Sequence, residues 1–448
     1  MKQFKTILLA GITAFLLSCN TVPEEVSEFS TLRLVWNDDP CTSMCIIWDG
    51  MDNQEATVYY DTIDYHREYW KYAHYQSPHR KLNFYDMNTR YVKLEELHAD
   101  KAYYFVVKDS AGISARYWFR TAPDQPEPLT FMVGGDTKSE GDALEAGRST
   151  NRLVAKLRPL FVLFNGDFTS GNGTDPSNWK QWLRDWNTMT TTSDGRMIPL
   201  VPVHGNHEDG NKENLNILFD TPFQINETAG IYYSLSMGGD LFHLIALNSQ
   251  IDQGGAQRTW LEEDLKKHEH FIFKVAAYHK PFWPHTSRKR ENEYQYKQWA
   301  FLFYNYGLNI SFDADSHMHK ITFPLKPDTL SSSSLMGFVR DDQKGTMFLG
   351  EGSWGAHPRS NDDDKPWTMA SGSFNQVKWI HLFPGEKEQG AFMNIYTVIT
   401  ADYDEQGQFQ LYNDEVEPLE EDKRFTVPSG LKLFRNEDGK DFVTYPFQ

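Results

Sequence analysis

MIPLVPVHGNHED, residues 197–209, is a short apolar run that ends in a glycine followed by an asparagine and a histidine. The apolar part predicts a buried β-strand, and Gly205 predicts a tight turn directly after it. Asn206 and His207 then stand at the end of the strand, where an amide oxygen and an imidazole can both bind a metal ion. Such a pair also arises by chance in a polar turn, so its meaning depends on how the other strands end.

Strands and helices alternate along the chain on both sides of this stretch. Further buried strands are predicted for LTFMVGG (129–135), LFVLFNGD (160–167), FIFKVAAYH (271–279) and LNISFDAD (308–315). Helical spacing is found in residues 143–158, 178–189, 257–270 and 293–307, and residues 231–249 have the pattern of a hairpin. This alternation indicates an α/β layered domain, in which ligands bind beyond the ends of the strands.

Residue types that bind metal ions follow five of these predicted strands. They are Asp136, Asp167, Asn206, His279, His317 and His319. Two carboxylates, an amide oxygen and three imidazoles suit a pair of first-row cations such as Zn, Mn or Fe. The sequence therefore predicts a metal site at one edge of the domain.

The chain ahead of this domain has a different pattern. Residues 31–122 contain about seven short strands rich in aromatic and β-branched residues, which predicts a β-sandwich of immunoglobulin or fibronectin type III kind. PDQPEP, residues 123–128, is typical of a stiff linker. Cys41 and Cys45 lie close together in PCTSMC, and we favour a short-loop disulfide over two free buried thiols.

The order of the ligand-type residues resembles the calcineurin-like metallophosphoesterases, whose pattern is D…GD…GNH[DE]…H…GHxH. The resemblance runs from about residue 130 to 325, and the strands from LRLVWNDDPCTSMCIIWDG to FRTAP are similar to the domain that precedes the catalytic domain of purple acid phosphatases. It implies a fibronectin III-like all-β sandwich and then a four-layer α/β/β/α catalytic domain over residues 129–400. Residues 401–448 are expected to form a β-rich C-terminal extension.

The resemblance also implies a role for each motif residue. Asp167 would bridge two metal ions, His207 would protonate or stabilise the leaving oxygen, and Glu208 would orient the His207 imidazole. The other ligands would divide between the ions, with Asp136 and His319 at the first and Asn206, His279 and His317 at the second. The reaction implied is hydrolysis of a phosphoric ester by hydroxide held on the metal.

Two positions depart from the family pattern beside the first ion. Lys138 stands where many relatives have a histidine, and Ser170 stands where purple acid phosphatases have a tyrosine. Lys138 either points to solvent, contacts the substrate phosphate, or takes the place of the first ion and leaves one ion or none. His285, in HKPFWPH, is a candidate substrate contact at the rim or else a surface histidine.

The N-terminus predicts export from the cytoplasm. Residues 1–18 have two lysines and then an apolar run, as in a signal peptide, and LLSC resembles the bacterial lipobox that leaves a lipidated Cys19. Residues 19–30 would then be a tether, and the protein would be anchored to a membrane, with the outer membrane favoured. The formal net charge of −18 argues against nucleic acid as a partner, but a metal ion allows a small phosphorylated substrate.

Two functions are compatible with this sequence. The first is a metal-dependent hydrolase of phosphoric esters, either a phosphatase or a phosphodiesterase. The alternative is a non-catalytic surface protein that uses the same fold to bind a phosphorylated or glycan ligand. Lys138 and Ser170 favour the alternative, whereas the Asn206–His207 pair and the three imidazoles favour the enzyme.

Overall fold

The computed structural model describes residue 29 and residues 31–50, 55–110, 112–330, 337–385 and 390–446. The predicted signal peptide, Cys19 and nearly all of the tether lie outside the described residues. Within the described part of the chain, no helix combines the length and the apolar character needed to cross a membrane.

The N-terminal part is all β, as predicted. Its strands are β1 (Arg33–Val35), β2 (Met44–Gly50), β3 (Thr57–Asp61), β4 (His74–Gln76), β5 (Arg80–Phe84), β6 (Met87–Leu94), β7 (Ala102–Lys108) and β8 (Tyr117–Arg120). Four of them form a separate sheet in the order β4-β3-β7-β8, and the other four continue into the sheet of the following domain. The connection is a parallel pairing of Val35 in β1 with Leu200 in the strand that follows the second predicted helix.

The α/β domain begins with alternating strands and helices, which confirms the predicted pattern. These elements are β9 (Leu129–Gly134), α1 (Gly141–Leu157), β10 (Phe161–Phe164), α2 (Pro176–Thr190), β11 (Leu200–Pro202), α3 (Asn214–Phe219), β12 (Tyr233–Met237), β13 (Phe242–Ala246), α4 (Gly255–Lys267), β14 (Phe273–Ala277), α5 (Glu293–Asn305) and β15 (Ile310–Phe312). The predicted hairpin is β12 paired antiparallel with β13. The short helix α3 was not predicted.

The remainder of the chain consists of strands. They are β16 (His319–Thr322), β17 (Leu325–Pro327), β18 (Phe338–Arg340), β19 (Met347–Gly350), β20 (Thr368–Gly372), β21 (Asn375–Phe383), β22 (Phe392–Tyr403), β23 (Phe409–Leu411) and β24 (Phe442–Tyr445). Three 3₁₀ turns, Tyr69–Lys71, Asn206–Glu208 and Glu421–Lys423, complete the described elements.

Two large sheets face each other across the main apolar core. The first has the order β23-β22-β21-β9-β10-β11-β1-β2-β6-β5 with β24 on β22, and the second has the order β12-β13-β14-β15-β19-β16-β20. The ring of Phe131 in β9 lies 5.2 Å from that of Phe242 in β13 and 6.4 Å from that of Phe312 in β15, so the aromatic contacts cross from sheet to sheet.

The alternation of side chains along the strands shows that helices pack on the outer faces of the sheets. Along β14, Val275 and Ala277 belong to the core between the sheets, while Ala276 packs with Trp299 and Phe303 of α5 in a second apolar cluster. Because successive strand residues point to opposite faces, each sheet has one face toward the other sheet and one toward helices. The four predicted layers, helix–sheet–sheet–helix, follow from this arrangement.

Two boundaries differ from the sequence prediction. The predicted boundary between residues 400 and 401 falls inside β22, and β23 and β24 both pair with β22, so the C-terminal extension completes the edge of the first sheet. The sandwich and the α/β domain are likewise joined through one sheet, at β1 and β11.

The predicted disulfide is wrong, because the structure contains two free buried thiols. The Cys41 thiol donates to the carbonyl oxygen of Pro123 at 3.2 Å, and that of Cys45 contacts Asp220 Oδ2 at 3.7 Å. Cys45 lies within β2 and faces a different neighbour from Cys41, so the side chains do not meet. Burial raises the pKa of the Cys41 thiol to about 12, which keeps it protonated.

Candidate metal centre

The carboxyl ends of parallel strands bring the predicted ligands together. Strands β9, β10 and β11 are neighbouring and parallel, so the loops after them, which carry Asp136, Asp167 and Asn206, lie at one edge of the first sheet. Strands β14 and β15 are parallel in the second sheet and bring His279 and residues 313–317 to the same edge.

His279 is at the centre of the cluster. Its Nε2 lies 3.2 Å from Asp167 Oδ1, 3.5 Å from Asp315 Oδ1 and 4.0 Å from Asp136 Oδ1. One terminal atom of the Asn206 amide lies 3.3 Å from the same nitrogen and 3.0 Å from Asp315 Oδ1.

Asp136 adds a further imidazole to this cluster. Its Oδ1 is 3.4 Å from Nε2 of His317, and its Oδ2 accepts a hydrogen bond of 3.0 Å from the backbone N–H of Asp315. We call the six side chains that converge here the donor ring: Asp136, Asp167, Asn206, His279, Asp315 and His317.

Both imidazoles of the donor ring are held from behind by backbone carbonyls. Nδ1 of His279 lies 2.7 Å from the carbonyl oxygen of Asn165, and Nδ1 of His317 lies 3.2 Å from that of His357. A carbonyl accepts only, so each Nδ1 carries a proton, and each Nε2 is the ring nitrogen turned toward the donor ring. This is the second-shell arrangement by which proteins fix a metal-binding histidine.

The backbone of the donor ring is unusual at four positions. Asp136, Asp167, Asp315 and His317 have φ angles of 65°, 58°, 66° and 55°, in the left-handed region that side chains other than glycine rarely adopt. Residues held in this region cluster at functional sites. The surrounding structure must stabilise each of them in this conformation.

Asp315 is the site residue that the sequence analysis missed. It directly precedes Ser316, which stands at the glycine position of the GHxH motif, and family patterns assign it no role. Only its left-handed backbone and the packing of β15 against β14 turn its carboxylate into the ring. The Lys289 ammonium, from the loop before α5, forms an ion pair with this carboxylate.

Glu208 does not orient the His207 imidazole, and that prediction is corrected. The fully buried carboxylate accepts hydrogen bonds from the backbone N–H groups of Asp167, Phe168 and Gly205 at 2.9, 3.0 and 2.9 Å. Burial and the nearby Asp167 raise the pKa of Glu208 to about 8. It therefore ties the loop after β10 to the loop after β11.

His207 and Lys138 form a partly exposed pair at the open side of the ring. Nε2 of His207 is 3.4 Å from Asp167 Oδ2 and 3.3 Å from Nζ of Lys138. The Lys138 side chain is therefore turned into the site and does not point to solvent.

The structure does not bring His319 to the donor ring. Its Nδ1 lies 2.5 Å from Nζ of Lys378 in β21, and its ring packs on Phe374 and Phe434 with centroids 5.4 and 4.6 Å away. Within the described ranges, the ion pairs of Asp136 involve His279 and His317 and not His319. The predicted pairing of Asp136 with His319 is thus replaced by Asp136 with His317.

His285 is not a substrate contact at the rim. The side chain is fully buried, with Nδ1 3.0 Å from Glu351 Oε1 and Nε2 2.6 Å from Oγ1 of Thr368. Both ring nitrogens are engaged within the protein, which leaves none to meet a ligand. The histidine links the loop after β14 to the segment after β19.

The donor ring fits a first-row cation. Asp136 Oδ1 is completely buried and has no hydrogen-bond partner among the described residues, so it is the kind of acceptor a cation satisfies. Burial by itself would lower the pKa of His279, but Asp167, Asp315 and Asp136 outweigh it and raise that pKa well above its usual value. Asp136, Asp167 and His279 offer ligand atoms that all lie within 4.8 Å of one another, so these three residues could hold a cation.

Comparison with known families agrees with this geometry. Residues 30–121 match the N-terminal domain of purple acid phosphatases, and residues 116–319 match the calcineurin-like phosphoesterases. Purple acid phosphatase 15 of Arabidopsis thaliana is 25% identical over 276 residues, which cover 53% of this chain and 50% of the relative. Probable purple acid phosphatase 20 of the same plant is 26% identical over 273 residues, covering 56% and 58%. The aligned part of the chain thus spans 50% and 58% of the length of these two relatives.

Solved structures show the same fold. The purple acid phosphatase PPD1 from yellow lupin (Lupinus luteus) seeds superposes with a TM-score of 0.65 at 15% identity, over 85% of this chain and 73% of the other. A structure of PhoD superposes with a TM-score of 0.58 at 13% identity, over 91% and 95%.

Proposed function

We propose that the chain is a metal-dependent hydrolase of phosphoric esters, because residues 116–319 match the calcineurin-like phosphoesterases and residues 30–121 match the N-terminal domain of the purple acid phosphatases. The observation that carries this proposal is the donor ring, in which His279 Nε2 lies within 4.0 Å of carboxylate oxygens from Asp136, Asp167 and Asp315. A small phosphorylated molecule is the substrate class that such a centre serves.

The donor ring would hold a first-row ion, with Zn, Mn or Fe as the candidates. Bound there, the ion would supply a water-derived nucleophile at neutral pH and would neutralise charge on the phosphoryl oxygens. The backbone anchors of His279 and His317 would keep these two imidazoles in place to hold the ion.

Two side chains at the open face of the ring would act on the substrate. The half-buried Lys138 ammonium is placed to attract a phosphoryl oxygen, since its Nζ lies 3.3 Å from Nε2 of His207, and that nitrogen lies 3.4 Å from Asp167 Oδ2. His207 would hydrogen-bond to the leaving oxygen or protonate it, from a ring nitrogen 3.4 Å from Asp167 Oδ2.

For the cellular location we propose a lipid anchor outside the cytoplasm, through Cys19 and with the outer membrane favoured. The support is the sequence of residues 1–19, with its two lysines, apolar run and LLSC. Metabolic labelling with a fatty acid analogue tests this part, since a Cys19→Ser variant should lose the label.

Turnover after metal removal and return tests the proposed activity. The purified protein is stripped with a chelator, and the hydrolysis of p-nitrophenyl phosphate and bis(p-nitrophenyl) phosphate is measured before and after adding Mn²⁺, Zn²⁺ or Fe²⁺. Activity that disappears with the metal and returns with it is expected, and the preferred ester identifies a phosphatase or a phosphodiesterase. Absence of turnover on both esters with every metal would overturn the proposal and favour a non-catalytic binding protein.

A further inference from the structure

Resting on the proposed function, we infer that Tyr85 of the N-terminal domain is a positioning residue for His207. The connection runs through the side chain of Asn214 and the backbone of Glu208. On this inference the N-terminal domain contributes to the rate of the reaction, besides sharing a sheet with the domain that carries the centre.

Tyr85 stands in the two-residue turn of a hairpin. Phe84 in β5 pairs with Met87 in β6, so only Tyr85 and Asp86 connect the two strands. Both of these residues have a φ angle of 52°, and a hairpin turn of type I′ requires a positive φ at both central positions. Asparagine and glycine adopt this conformation readily, whereas a bulky aromatic residue rarely does. The turn by itself therefore does not favour tyrosine here, and the contacts of the side chain compensate for the strained backbone.

The Tyr85 hydroxyl reaches into the α/β domain. It donates to the carbonyl oxygen of Gly173 at 2.8 Å, and the side-chain oxygen of Asn214 is a second acceptor at 3.0 Å. The ring of Tyr85 is half-buried and packs against the main apolar core. Gly173 belongs to the loop after β10, which also carries Asp167, so the N-terminal domain contacts a loop of the centre directly.

Asn214 extends this contact to the turn that carries His207. Its side chain is completely buried, and its Nδ2 donates to the carbonyl oxygen of Glu208 at 3.0 Å and to that of Gly173 at 3.3 Å. Glu208 directly follows His207 in the same 3₁₀ turn. A single amide side chain therefore joins the Tyr85 hydroxyl, the loop after β10 and the His207 turn.

The loop and the turn also meet through their backbones at Gly173. A Cβ atom at this position would lie 2.5 Å from the carbonyl oxygen of His207 and 3.1 Å from the Cα atom of Glu208, so only glycine allows the approach. The carbonyl oxygen of Gly173 accepts from Nε1 of Trp179 at 2.7 Å as well as from Tyr85. One side chain from each domain thus holds the residue against which the His207 backbone rests.

The position of the His207 imidazole depends on this backbone. Nδ1 of His207 has no hydrogen-bond partner among the described residues, whereas Nδ1 of His279 and Nδ1 of His317 are held by carbonyl oxygens. A shift of the turn therefore moves the imidazole relative to the leaving oxygen. Displacement by about 1 Å can lower a rate by on the order of 10²-fold, because proton transfer requires close placement of the reacting groups.

The variant Tyr85→Phe tests the inference, because it removes the hydroxyl and keeps the ring. With the metal that supports turnover, kinetics are measured on a phenyl and a p-nitrophenyl ester, as monoesters or diesters according to the preference of the wild type. p-Nitrophenolate leaves readily without an acid, whereas phenolate leaves slowly unless its oxygen receives a proton or a hydrogen bond. We expect kcat to fall by about 10-fold or more on the phenyl ester and by less than about 3-fold on the p-nitrophenyl ester, with KM nearly unchanged.

A double-mutant cycle shows whether Tyr85 acts through His207. In a His207→Gln protein, Tyr85→Phe is expected to cause no further loss on the phenyl ester, because the imidazole that Tyr85 positions is already absent. Two residues that act independently would instead give losses that multiply.

Tyr91→Phe is the matched control. Tyr91 also belongs to the N-terminal domain, and its fully buried hydroxyl donates to the carbonyl oxygen of Ile217 in α3, outside the His207 turn. The change removes a comparable hydrogen bond between the two domains. It should lower the melting temperature at least as much as Tyr85→Phe does, and it should leave the ratio of kcat on the two esters as in the wild type.

The outcomes distinguish the inference from the proposed function. A loss in Tyr85→Phe that is selective for the phenyl ester, and that is absent from Tyr91→Phe and from the His207→Gln background, supports the inference. Unchanged kcat, equal losses on both esters, the same selective loss in Tyr91→Phe, or losses that multiply with His207→Gln overturn it and leave metal-dependent hydrolysis intact. A wild-type protein that turns over no ester with any metal overturns both the inference and the proposed function.

Discussion

His207 differs from His279 and His317 in being partly exposed and in having no backbone carbonyl on Nδ1. Nδ1 of His207 has no hydrogen-bond partner in the described part of the chain, whereas Nδ1 of His279 and Nδ1 of His317 are both anchored. A side chain of this kind can move to meet a substrate, and the anchored ones cannot. This difference supports the proposed roles, in which the anchored histidines hold an ion and His207 acts on the leaving group.

The variant His207→Gln should lose turnover and keep metal. Positioned acid or hydrogen-bond catalysis contributes roughly 10²- to 10⁴-fold, so kcat should fall by about that factor, while the ion content stays as in the wild type. Steady-state kinetics and elemental analysis measure the two quantities. His66→Gln is the control, since His66 is exposed in the N-terminal domain; equal losses in both variants would show that the effect is not local.

The two cysteines should behave as protected thiols. In a Cys19→Ser protein, Cys41 and Cys45 are expected to be unreactive toward a thiol reagent in the native state, because both are buried and the pKa of each is raised by burial. Both should react once the chain is unfolded without reductant, and adding a reductant should not change the melting temperature. Fewer than two thiols on unfolding would indicate the disulfide that the structure excludes.

Among single residues, the sequence predicted the members of the centre that directly follow a strand. Asp136, Asp167, Asn206 and His279 each follow a strand, and strand order alone brings them together. Asp315 was missed, and His285 and Glu208 were misassigned, because their roles depend on which contacts a side chain finds in three dimensions. The carboxylate of Glu208, for example, meets three backbone N–H groups that belong to two different loops.

Among the elements, β21 is a strand that the sequence pattern did not predict. The strand NQVKWIHLF pairs with β9 along one edge and with β22 along the other, and eight of its nine residues are buried. It contains the buried polar residues Lys378 and His381, and it therefore lacks the continuous apolar run by which central strands are recognised. The neighbouring strand β9 has that run and was predicted correctly.

His381 in β21 should make the protein less stable in acid. Burial lowers its pKa from 6.5 to about 4, so between these values the unfolded chain takes up a proton that the folded chain does not. Stability from this residue is therefore complete above pH 6.5 and decreases toward pH 4, by on the order of 3 kcal/mol.

The difference between wild type and His381→Leu isolates this effect. Urea unfolding at several pH values from 7 to 4 should give a shallower loss of unfolding free energy in the variant, whatever its stability at pH 7. Parallel curves for the two proteins would show that His381 does not titrate in this way.

For the whole molecule, the N-terminal domain and the α/β domain share one sheet. Besides the pairing of β1 with β11, Nε of Arg33 donates to the carbonyl oxygen of Leu218 at 2.7 Å, and Arg80 forms an ion pair with Asp220 at 2.7 Å. The sequence predicted both domains and the connecting segment at residues 123–128, which lies between β8 and β9, but it did not predict the shared sheet. The pairing of strands far apart in sequence, such as β1 with β11, has no local signal, since each strand is only three residues long.

The continuous sheet predicts cooperative unfolding. Calorimetry and tryptophan fluorescence should report a single coincident transition, because separating the domains exposes the edge of β11 and breaks buried hydrogen bonds. Two resolved transitions, with the first confined to the N-terminal domain, would show that the shared sheet does not couple the domains.

The most direct test of the account is the location of the metal by anomalous X-ray diffraction from crystals of the protein soaked or grown with Mn²⁺ or Zn²⁺. We expect an anomalous peak in contact with His279 Nε2 and with oxygens of Asp136 and Asp167. A peak at another place, such as the cluster of His243, Asp264 and His268 behind the second sheet, or no peak within the donor ring of a protein that is active with metal, would contradict it.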